Sequence, residues 1–305
     1  MNEGQTRTAA VFDFLDRLDR RIIYLLIALS LAIPLTLKHT LQPAEMHAAT
    51  AFFAELEKLR AESGKIVLLA AEWGPGTLAE NQPQTAVTIE HLMRRRIPFA
   101  LVSTYNLSAP FLDSLPREIV AQLEKESPGE QWVYGKDWVN LGYRPGQSLF
   151  VQNLARSDDW HNELKTDATG TPLEDIPCMK DVKSVNNVSI FIEFTGLVGV
   201  FSDWVQFFRS ENYRPPFLHG CTSITIPEAH TYLSAKQILG LHEGIVGAAW
   251  HDELLSKNYP NRAVGSAQVM NTSVAFAQIL IIFLIILGNA GSLYRHLQLR
   301  GGHSD

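Results

Sequence analysis

Two long runs without charged residues lie near the ends of the chain, IIYLLIALSLAIPLTL in the first part and VAFAQILIIFLIIL in the last. A helix of about 20 apolar residues is long enough to cross a bilayer. The sequence therefore predicts membrane helices at 22–41 and 268–294, with one folded region at 42–267 between them. For the first run a cleaved signal peptide is the alternative. Its nearest small-residue cleavage site, at 49–51, lies far beyond the run, which favours an uncleaved signal anchor.

Basic residues are unevenly distributed around the two predicted membrane helices. The outer flanks hold Arg7, Arg17, Arg20, Arg21, Arg295 and Arg300, whereas the inner flanks hold Lys38, Lys257 and Arg262. Basic flanks usually stay on the cytoplasmic side of a membrane. We therefore expect cytoplasmic tails at 1–21 and 295–305 and an extracytoplasmic, periplasm-like location for the large domain.

Between the two ends, short apolar runs alternate with amphipathic stretches. An apolar run that is too short for a helix and is bounded by glycine or proline predicts a buried parallel strand. Such runs begin at residue 65 and lie at 98–103, 131–134, 187–194 and 219–226, while helices are predicted at 42–60, 85–96, 113–125, 147–155 and 201–211. This alternation predicts an α/β domain with a doubly wound, mainly parallel sheet covered by helices on both faces.

One segment, 157–185, interrupts the alternation because it is polar and rich in aspartate. We expect it to be a surface excursion over the edge of the sheet. Long irregular segments in compact domains are often functional. Its acidic residues lack the D-x-D-x-D-G spacing of a calcium loop, which favours a solvated loop.

Charge and cysteine content limit the classes of partner. The formal net charge is −6, and the central region is more acidic than the whole chain, so nucleic acid is not an expected partner. The two cysteines, Cys178 and Cys221, could form a disulfide in an oxidising compartment or remain buried as small hydrophobic residues. The sequence leaves both alternatives open.

The carboxyl ends of parallel strands meet at one edge of a sheet, where ligands of such folds usually bind. The predicted strand ends supply these candidate ligand-binding residues: Glu72, Trp73, Gly74, Gly76, Thr104, Glu193 and Thr195. Glu72 and Glu193 could face each other across one crevice and act as acid and base. More commonly, a glutamate at a strand end accepts hydrogen bonds from nearby backbone amides.

Motifs for familiar chemistry are absent from the sequence. The turn EWGPGT contains neither G-x-G-x-x-G nor a P-loop, and the chain has no G-x-S-x-G and no H-x-x-x-H pair. The trio His251-Asp252-Glu253 is interpreted as a solvated helix end. We therefore expect no catalytic residue, no cofactor and no metal site, and the sequence leans away from an enzyme.

A second group of residues suggests a contact surface. The stretch 232–255 is predicted to be one long helix, although glycine inside a helix costs about 1 kcal/mol relative to alanine. Small residues on one helix face allow another backbone to approach closely, either in the domain's own core or at a subunit contact. The candidate contact residues are Gly240, Gly244, Gly247 and Ala248, together with the aromatic Trp204, Phe207 and Phe208.

These features together predict a membrane-anchored and non-enzymatic α/β module. Its partners would be the lipid bilayer and either copies of itself or other membrane proteins, with which it would assemble laterally. A membrane-tethered hydrolase or small-ligand-binding domain, with its site at the strand ends, is one alternative. The other is an accessory subunit of a transporter or secretion complex.

Overall fold

The computed structural model describes the backbone of residues 19–301 and the side chains of residues 19–293. The helices are α1 (Arg20–Leu37), α2 (His47–Lys58), α3 (Leu78–Arg94), α4 (Ala109–Glu126), α5 (Ser148–Arg156), α6 (Trp160–Leu164), α7 (Val200–Phe207), α8 (Ile226–Ser234), α9 (Gly244–Asn258) and α10 (Ser266–Gly301). The strands are β1 (Ile66–Glu72), β2 (Phe99–Ser103), β3 (Trp138–Tyr143), β4 (Val188–Thr195), β5 (Phe217–Cys221) and β6 (Gly240–Glu243). The predicted tails at 1–21 and 295–305 lie largely outside the described residues.

All six strands form one parallel sheet with the order β3-β2-β1-β4-β5-β6. The chain thus builds the sheet outward from β1, first in one direction and then, starting with β4, in the other. The order reverses between β1 and β4, and in such sheets ligands usually bind near this point at the carboxyl edge. The predicted α/β class with a parallel sheet is confirmed.

Helices cover both faces of the sheet, because successive side chains of a strand point to opposite sides. On one face, Leu68 and Ala70 of β1 belong to a core that includes residues of α5, α6, α7 and α8. On the other, Val67 and Leu69 pack with residues of α2, α3 and α4. Burial on both faces explains why β1 is a continuous apolar run rather than an alternating one.

The strands β1, β2 and β4 lie where they were predicted, and β5 overlaps its predicted range. The predicted strand at 131–134 is wrong, because only Tyr134 makes an isolated bridge there. Its place in the sheet is taken by β3, inside a stretch that had been interpreted as turns. Asn140 and Gly142, the latter at φ +80°, gave β3 the composition of a turn.

The predicted single helix at 232–255 is also wrong. The segment forms the end of α8, the edge strand β6 and most of α9. Gly240 lies in β6, where an added Cβ would collide with the backbone of Phe52, and Gly244 has φ +60° at the start of α9. These glycines therefore serve a close contact and a sharp turn, and they do not share one helical face.

The segment 157–185 is an excursion, but the prediction of a solvated loop is wrong. It contains α6 and buries a series of apolar side chains in the core: Trp160, Leu164, Leu173, Ile176, Met179 and Val182. The aspartate Asp167 accepts hydrogen bonds from Tyr134 Oη at 2.6 Å and from the backbone of Thr169 and Thr171. These large apolar residues stand singly, three to nine positions apart in a polar stretch, which had concealed this packing.

Residues Gln42–Gln268 form one compact unit, and the described residues before and after them form another. In this second unit, α1 and the part of α10 up to Leu293 are long and apolar enough to cross a membrane. The α1 helix continues through Pro34 and ends at Leu37, and Lys38 is its C-cap residue. The backbone N–H of Leu41 donates to Thr272 Oγ1 at 2.9 Å, which joins the segment after α1 to α10.

Candidate functional site

Glu72, the last residue of β1, is buried beneath the carboxyl edge. Its carboxylate accepts hydrogen bonds from the backbone N–H and hydroxyl of Thr104, from the Ser103 hydroxyl and from Trp204 Nε1, at 2.9–3.3 Å. Burial raises the pKa of Glu72 to about 7, although the Thr104 amide opposes this effect. With its acceptor sites used in this way, Glu72 fastens β1 to the loop after β2 and to α7.

Glu193 lies on β4, on the same face of the sheet as Glu72. It is two residues further from the carboxyl edge, because Glu72 pairs with Thr195. It is fully buried, and its nearest partner is Nδ1 of His219 on β5, at 3.3 Å. Burial raises the pKa of Glu193 well above its usual range and lowers that of His219 to about 3. Burial therefore favours the neutral form of both side chains. Glu72 and Glu193 do not face each other across an open crevice, contrary to our expectation.

The other predicted ligand residues are divided between the core and the surface. Thr195 is buried and donates through Oγ1 to the backbone carbonyl of Glu72 at 2.9 Å. Trp73 and Gly74 are also buried, and Trp73 donates to Thr85 on the opposite face of the sheet from Glu72. Gly76 is exposed in the loop after β1. Of the predicted set, Thr104 lines the cleft described below, and Thr195 lines a small cavity next to Leu197 and His219.

The residues predicted to form a subunit contact lie in the domain's own interior. Gly240, Gly244, Gly247 and Ala248 are buried around β6 and α9. Trp204 on α7 and Phe208, which directly follows α7, are buried, and both contact Phe191. Phe207 is partly buried. Phe207 also lines a concave surface, whereas the other six residues are buried within the domain.

A cleft of about 530 Å³ opens at the carboxyl edge, above β2, β3 and the loop after β4. Its lining contains no charged residue and consists of Thr104, Tyr105, Asn106, Tyr143, Gly146, Gln147, Leu197 and Val200. The turn that carries Gln147 is unusual, because Gln147 has φ +44° directly after Gly146 at φ +109°. This turn follows β3 and leads into α5 at the rim of the cleft.

Most polar side chains of the cleft are not used within the protein. The side chains of Tyr105, Asn106, Tyr143 and Gln147 make no hydrogen bond to any described residue, whereas Thr104 is held by Glu72. Amide groups donate and accept, and a phenol does both as well. Four such side chains with unused hydrogen-bonding groups thus converge on one concave surface.

Exposed apolar side chains surround this cleft along the carboxyl edge. Leu107 follows β2, Leu149 begins α5 after β3, Val198 follows β4 and Ile224 follows β5. They are exposed by 48%, 62%, 84% and 88%, respectively. These residues follow four different strands, so all four lie on the carboxyl side of the sheet. We call Leu107, Leu149, Val198 and Ile224 the apolar rim.

A second concave surface of the domain, of about 930 Å³, lies away from the strand ends, between α5, α7 and the segment 209–212. Arg156 and Arg209 line it, and so do Asp158 and Glu211. Both arginines lie at or just beyond helix C-termini, where cations are favoured for structural reasons. The carboxyl-edge cleft is therefore the better candidate site.

A chain of buried histidines lies on the other face of the sheet. Glu57 Oε1 of α2 is 2.8 Å from His91 Nε2, His91 Nδ1 is 2.9 Å from His251 Nε2, and His251 Nδ1 is 2.8 Å from His242 Nε2. The three imidazoles are fully buried. The expectation that 251–253 is a solvated helix end is wrong for His251 and Asp252. We call Glu57, His91, His251 and His242 the histidine chain.

The sequence contained only weak signals for these features. Tyr105 and Asn106 directly follow a correctly predicted strand, but Tyr143 and Gln147 could not be assigned to the edge without locating β3. Each histidine of the chain stands within an apolar or helical stretch, a position also typical of an ordinary core residue.

Within the described side chains, no group of three or more His, Cys, Asp or Glu residues is arranged to hold a metal ion. Cys178 and Cys221 are both free thiols.

Comparison with family models, with curated proteins and with solved structures gives no match to this chain. The fold and the site thus define a class by their own features. It is an α/β domain with a six-stranded parallel sheet, an uncharged polar cleft at the carboxyl edge and two long apolar helices in the second unit.

Proposed function

We propose that this protein is a membrane-anchored binding domain whose ligand is an uncharged, partly apolar small molecule. The observation that carries the proposal is the convergence of Tyr105, Asn106, Tyr143 and Gln147, with unused hydrogen-bonding groups, on one cleft at the carboxyl edge. Small-molecule sites usually occupy about 300–1,000 Å³ and hold a few well-placed polar groups in a largely apolar surface. The cleft has that size, and its lining is more polar than that of most such sites, with Leu197 and Val200 as its aliphatic residues.

The chemistry of the lining defines the class of ligand. A charged ligand would lose water on binding and find no opposite charge, because no ionisable Asp, Glu, Lys, Arg or His lines the cleft. Hydroxyl or amide groups of a ligand would find donors and acceptors in Asn106 and Gln147, and apolar parts would contact Leu197 and the apolar rim. Glycosides and nucleosides combine these properties.

The two apolar helices support the membrane-anchored part of the proposal. We propose that α1 and α10 cross the bilayer with both chain ends in the cytoplasm, as the distribution of arginines predicts. Few residues of their apolar stretches are buried by the chain itself, 6% for α1 and 11% for α10. Assembly with copies or with other membrane proteins is a second proposal, and it would use these helices rather than the buried Gly240–Ala248 region.

Binding can be tested with the full chain in lipid nanodiscs, using a panel of saccharides, nucleosides and short-chain alkyl glycosides. A compound that binds in the cleft is expected to raise the melting temperature of the unaltered protein. Replacing Asn106→Ala or Tyr143→Ala removes a hydrogen-bonding group worth about 0.5–1.5 kcal/mol, so each change should weaken binding roughly three- to tenfold. Isothermal calorimetry on the hits measures this difference.

Asn162→Ala is the matched control, because Asn162 is another exposed asparagine without a side-chain hydrogen bond, located on α6 away from the cleft. It should bind like the unaltered protein. The proposal fails if no compound of this class binds, or if the compounds that bind do so equally well after Asn106→Ala and Tyr143→Ala.

A further inference from the structure

The geometry of the histidine chain allows only two arrangements of its protons. A neutral imidazole has one N–H donor and one nitrogen acceptor. With Glu57 ionised, His91 must donate through Nε2, so its Nδ1 accepts from His251 Nε2, whose Nδ1 in turn accepts from His242 Nε2. This leaves His242 Nδ1 as an acceptor, and that atom is indeed buried without a partner. The reverse arrangement requires a protonated Glu57.

While Glu57 is ionised, an additional proton has no stable place on the three imidazoles. On His91 Nδ1 or His251 Nδ1 it would point at the N–H of the next imidazole, so two donors would face each other at 2.8–2.9 Å. On His242 Nδ1 it would create a buried cation among the rings of Phe52 and Phe194. Burying a cation without a hydrogen-bond acceptor is strongly unfavourable.

The charged groups around the chain do not offset this cost, because they are already paired. Glu57 also pairs with Arg95, Glu90 near His91 pairs with Arg94 and Arg262, and Asp252 pairs with Arg262 near His251. After burial, the largest effect on the pKa of His242 comes from His219, which lies on the other face of the sheet and lowers that pKa electrostatically. Burial lowers the pKa of all three chain histidines, and that of His242 falls to about 3.

The helix that covers the chain is α2, the first helix after α1. Phe52 stacks on His242 with ring centres 3.9 Å apart, Phe53 contacts His91 at 4.6 Å, and Glu57 holds the outer end of the chain. Trp250 Nε1 of α9 donates to Thr50 Oγ1 of α2 at 2.8 Å. Moving α2 away would expose the histidines to water, and they could then bind protons freely.

We propose that the histidine chain is an acid sensor, which holds α2 against β6 and α9 at neutral pH and releases α2 when the surrounding medium becomes acidic. The sign follows from linkage. In the released state the histidines have ordinary pKa values near 6.5, whereas in the closed state they stay neutral. Closure is therefore complete above pH 6.5 and is lost as the pH falls below it, about tenfold per pH unit for each imidazole that becomes protonated.

Hydrogen exchange measured by mass spectrometry on the full chain in nanodiscs tests this proposal, with rates corrected for the intrinsic effect of pH. Between pH 7.5 and pH 5.5, the amides of α2 should lose at least tenfold in protection. The amides of β1 and β2 should keep theirs at the pH where α2 is first released.

His242→Gln keeps a donor for His251 Nδ1 but cannot titrate. One imidazole fewer then takes up a proton when α2 is released, so the factor by which α2 loses protection per pH unit should be about ten times smaller. His219→Gln is the matched control, since His219 is equally buried, has a similarly lowered pKa and lies outside the chain. It should leave the response of α2 unchanged. If His242→Gln does not fold, the comparison of α2 with β1 in the unaltered protein still decides the matter.

Two results would overturn the proposal. One is protection of α2 that does not change between pH 7.5 and pH 5.5. The other is simultaneous loss of protection in α2, β1 and β2, which would show that acid unfolds the whole domain without a separate release of α2.

Discussion

At the scale of single residues, the strand-end glutamates show how environment decides the role of a side chain. The sequence shows that Glu72 ends an apolar strand, and it correctly suggests that such a residue can bind backbone amides. It does not show that Thr104, Ser103 and Trp204 all donate to Glu72, because these partners are distant in the chain. Glu193 was likewise placed on the correct strand, but its burial depends on α7 covering that face.

Glu193→Gln is expected to change how stability depends on pH. In the unaltered protein the unfolded chain ionises Glu193 above its ordinary pKa of 4.5, while the folded chain keeps it protonated to a much higher pH. Stability is therefore lost as the pH rises from 4.5 through the raised pKa of the folded state, and glutamine removes this loss. Both proteins share the acid-sensitive histidines, so the difference between them isolates Glu193.

Urea unfolding followed by tryptophan fluorescence checks this prediction at pH 5 and at pH 8. The free energies of unfolding of the two proteins should be similar at pH 5, and the variant should be the more stable of the two at pH 8. A variant that is less stable at pH 8 would mean that Glu193 is ionised and held by a favourable partner.

At the scale of secondary structure elements, local pattern succeeded where a strand is apolar and β-rich, as in β1, β2 and β4. It failed for β3 and β6, whose short sequences contain glycine, asparagine or histidine and resemble turns or helix. Those two strands form the two edges of the sheet, and their pairing is decided by neighbours far away in the chain. The polar side of the candidate cleft depends on β3, so this error also concealed Tyr143 and Gln147.

Gly240→Ala tests the close approach of α2 to β6. The new Cβ would collide with the backbone of Phe52, so either α2 or β6 must move. We expect a loss of about 1–3 kcal/mol in the free energy of unfolding, typical of overpacking. Gly76→Ala is the control, because a Cβ at Gly76 meets no atom within 4 Å and should leave stability nearly unchanged in the same thermal or urea unfolding experiment. Equal stability of both variants would mean that α2 is not packed tightly against β6.

At the scale of the whole molecule, two apolar helices and an acidic α/β domain were both recognisable from composition and length. The side of the membrane on which the domain lies is a prediction from the arginine distribution alone. A cysteine introduced by Val198→Cys should react with a membrane-impermeant maleimide in sealed right-side-out vesicles, because Val198 is 84% exposed at the carboxyl edge. A cysteine introduced by Thr8→Cys should react only after lysis. The reverse order would invert the proposed topology.

The central claim is that the carboxyl-edge cleft binds a small molecule, and photo-crosslinking in the living cell tests it most directly. A photoreactive phenylalanine analogue replaces Tyr143 in the cleft or, as a control, Val133, which is similarly exposed but outside the cleft. If the cleft binds a small molecule, the full chain should carry an adduct of small mass at position 143 and none at position 133. A protein-sized adduct at position 143, or the same adducts at both positions, would contradict it.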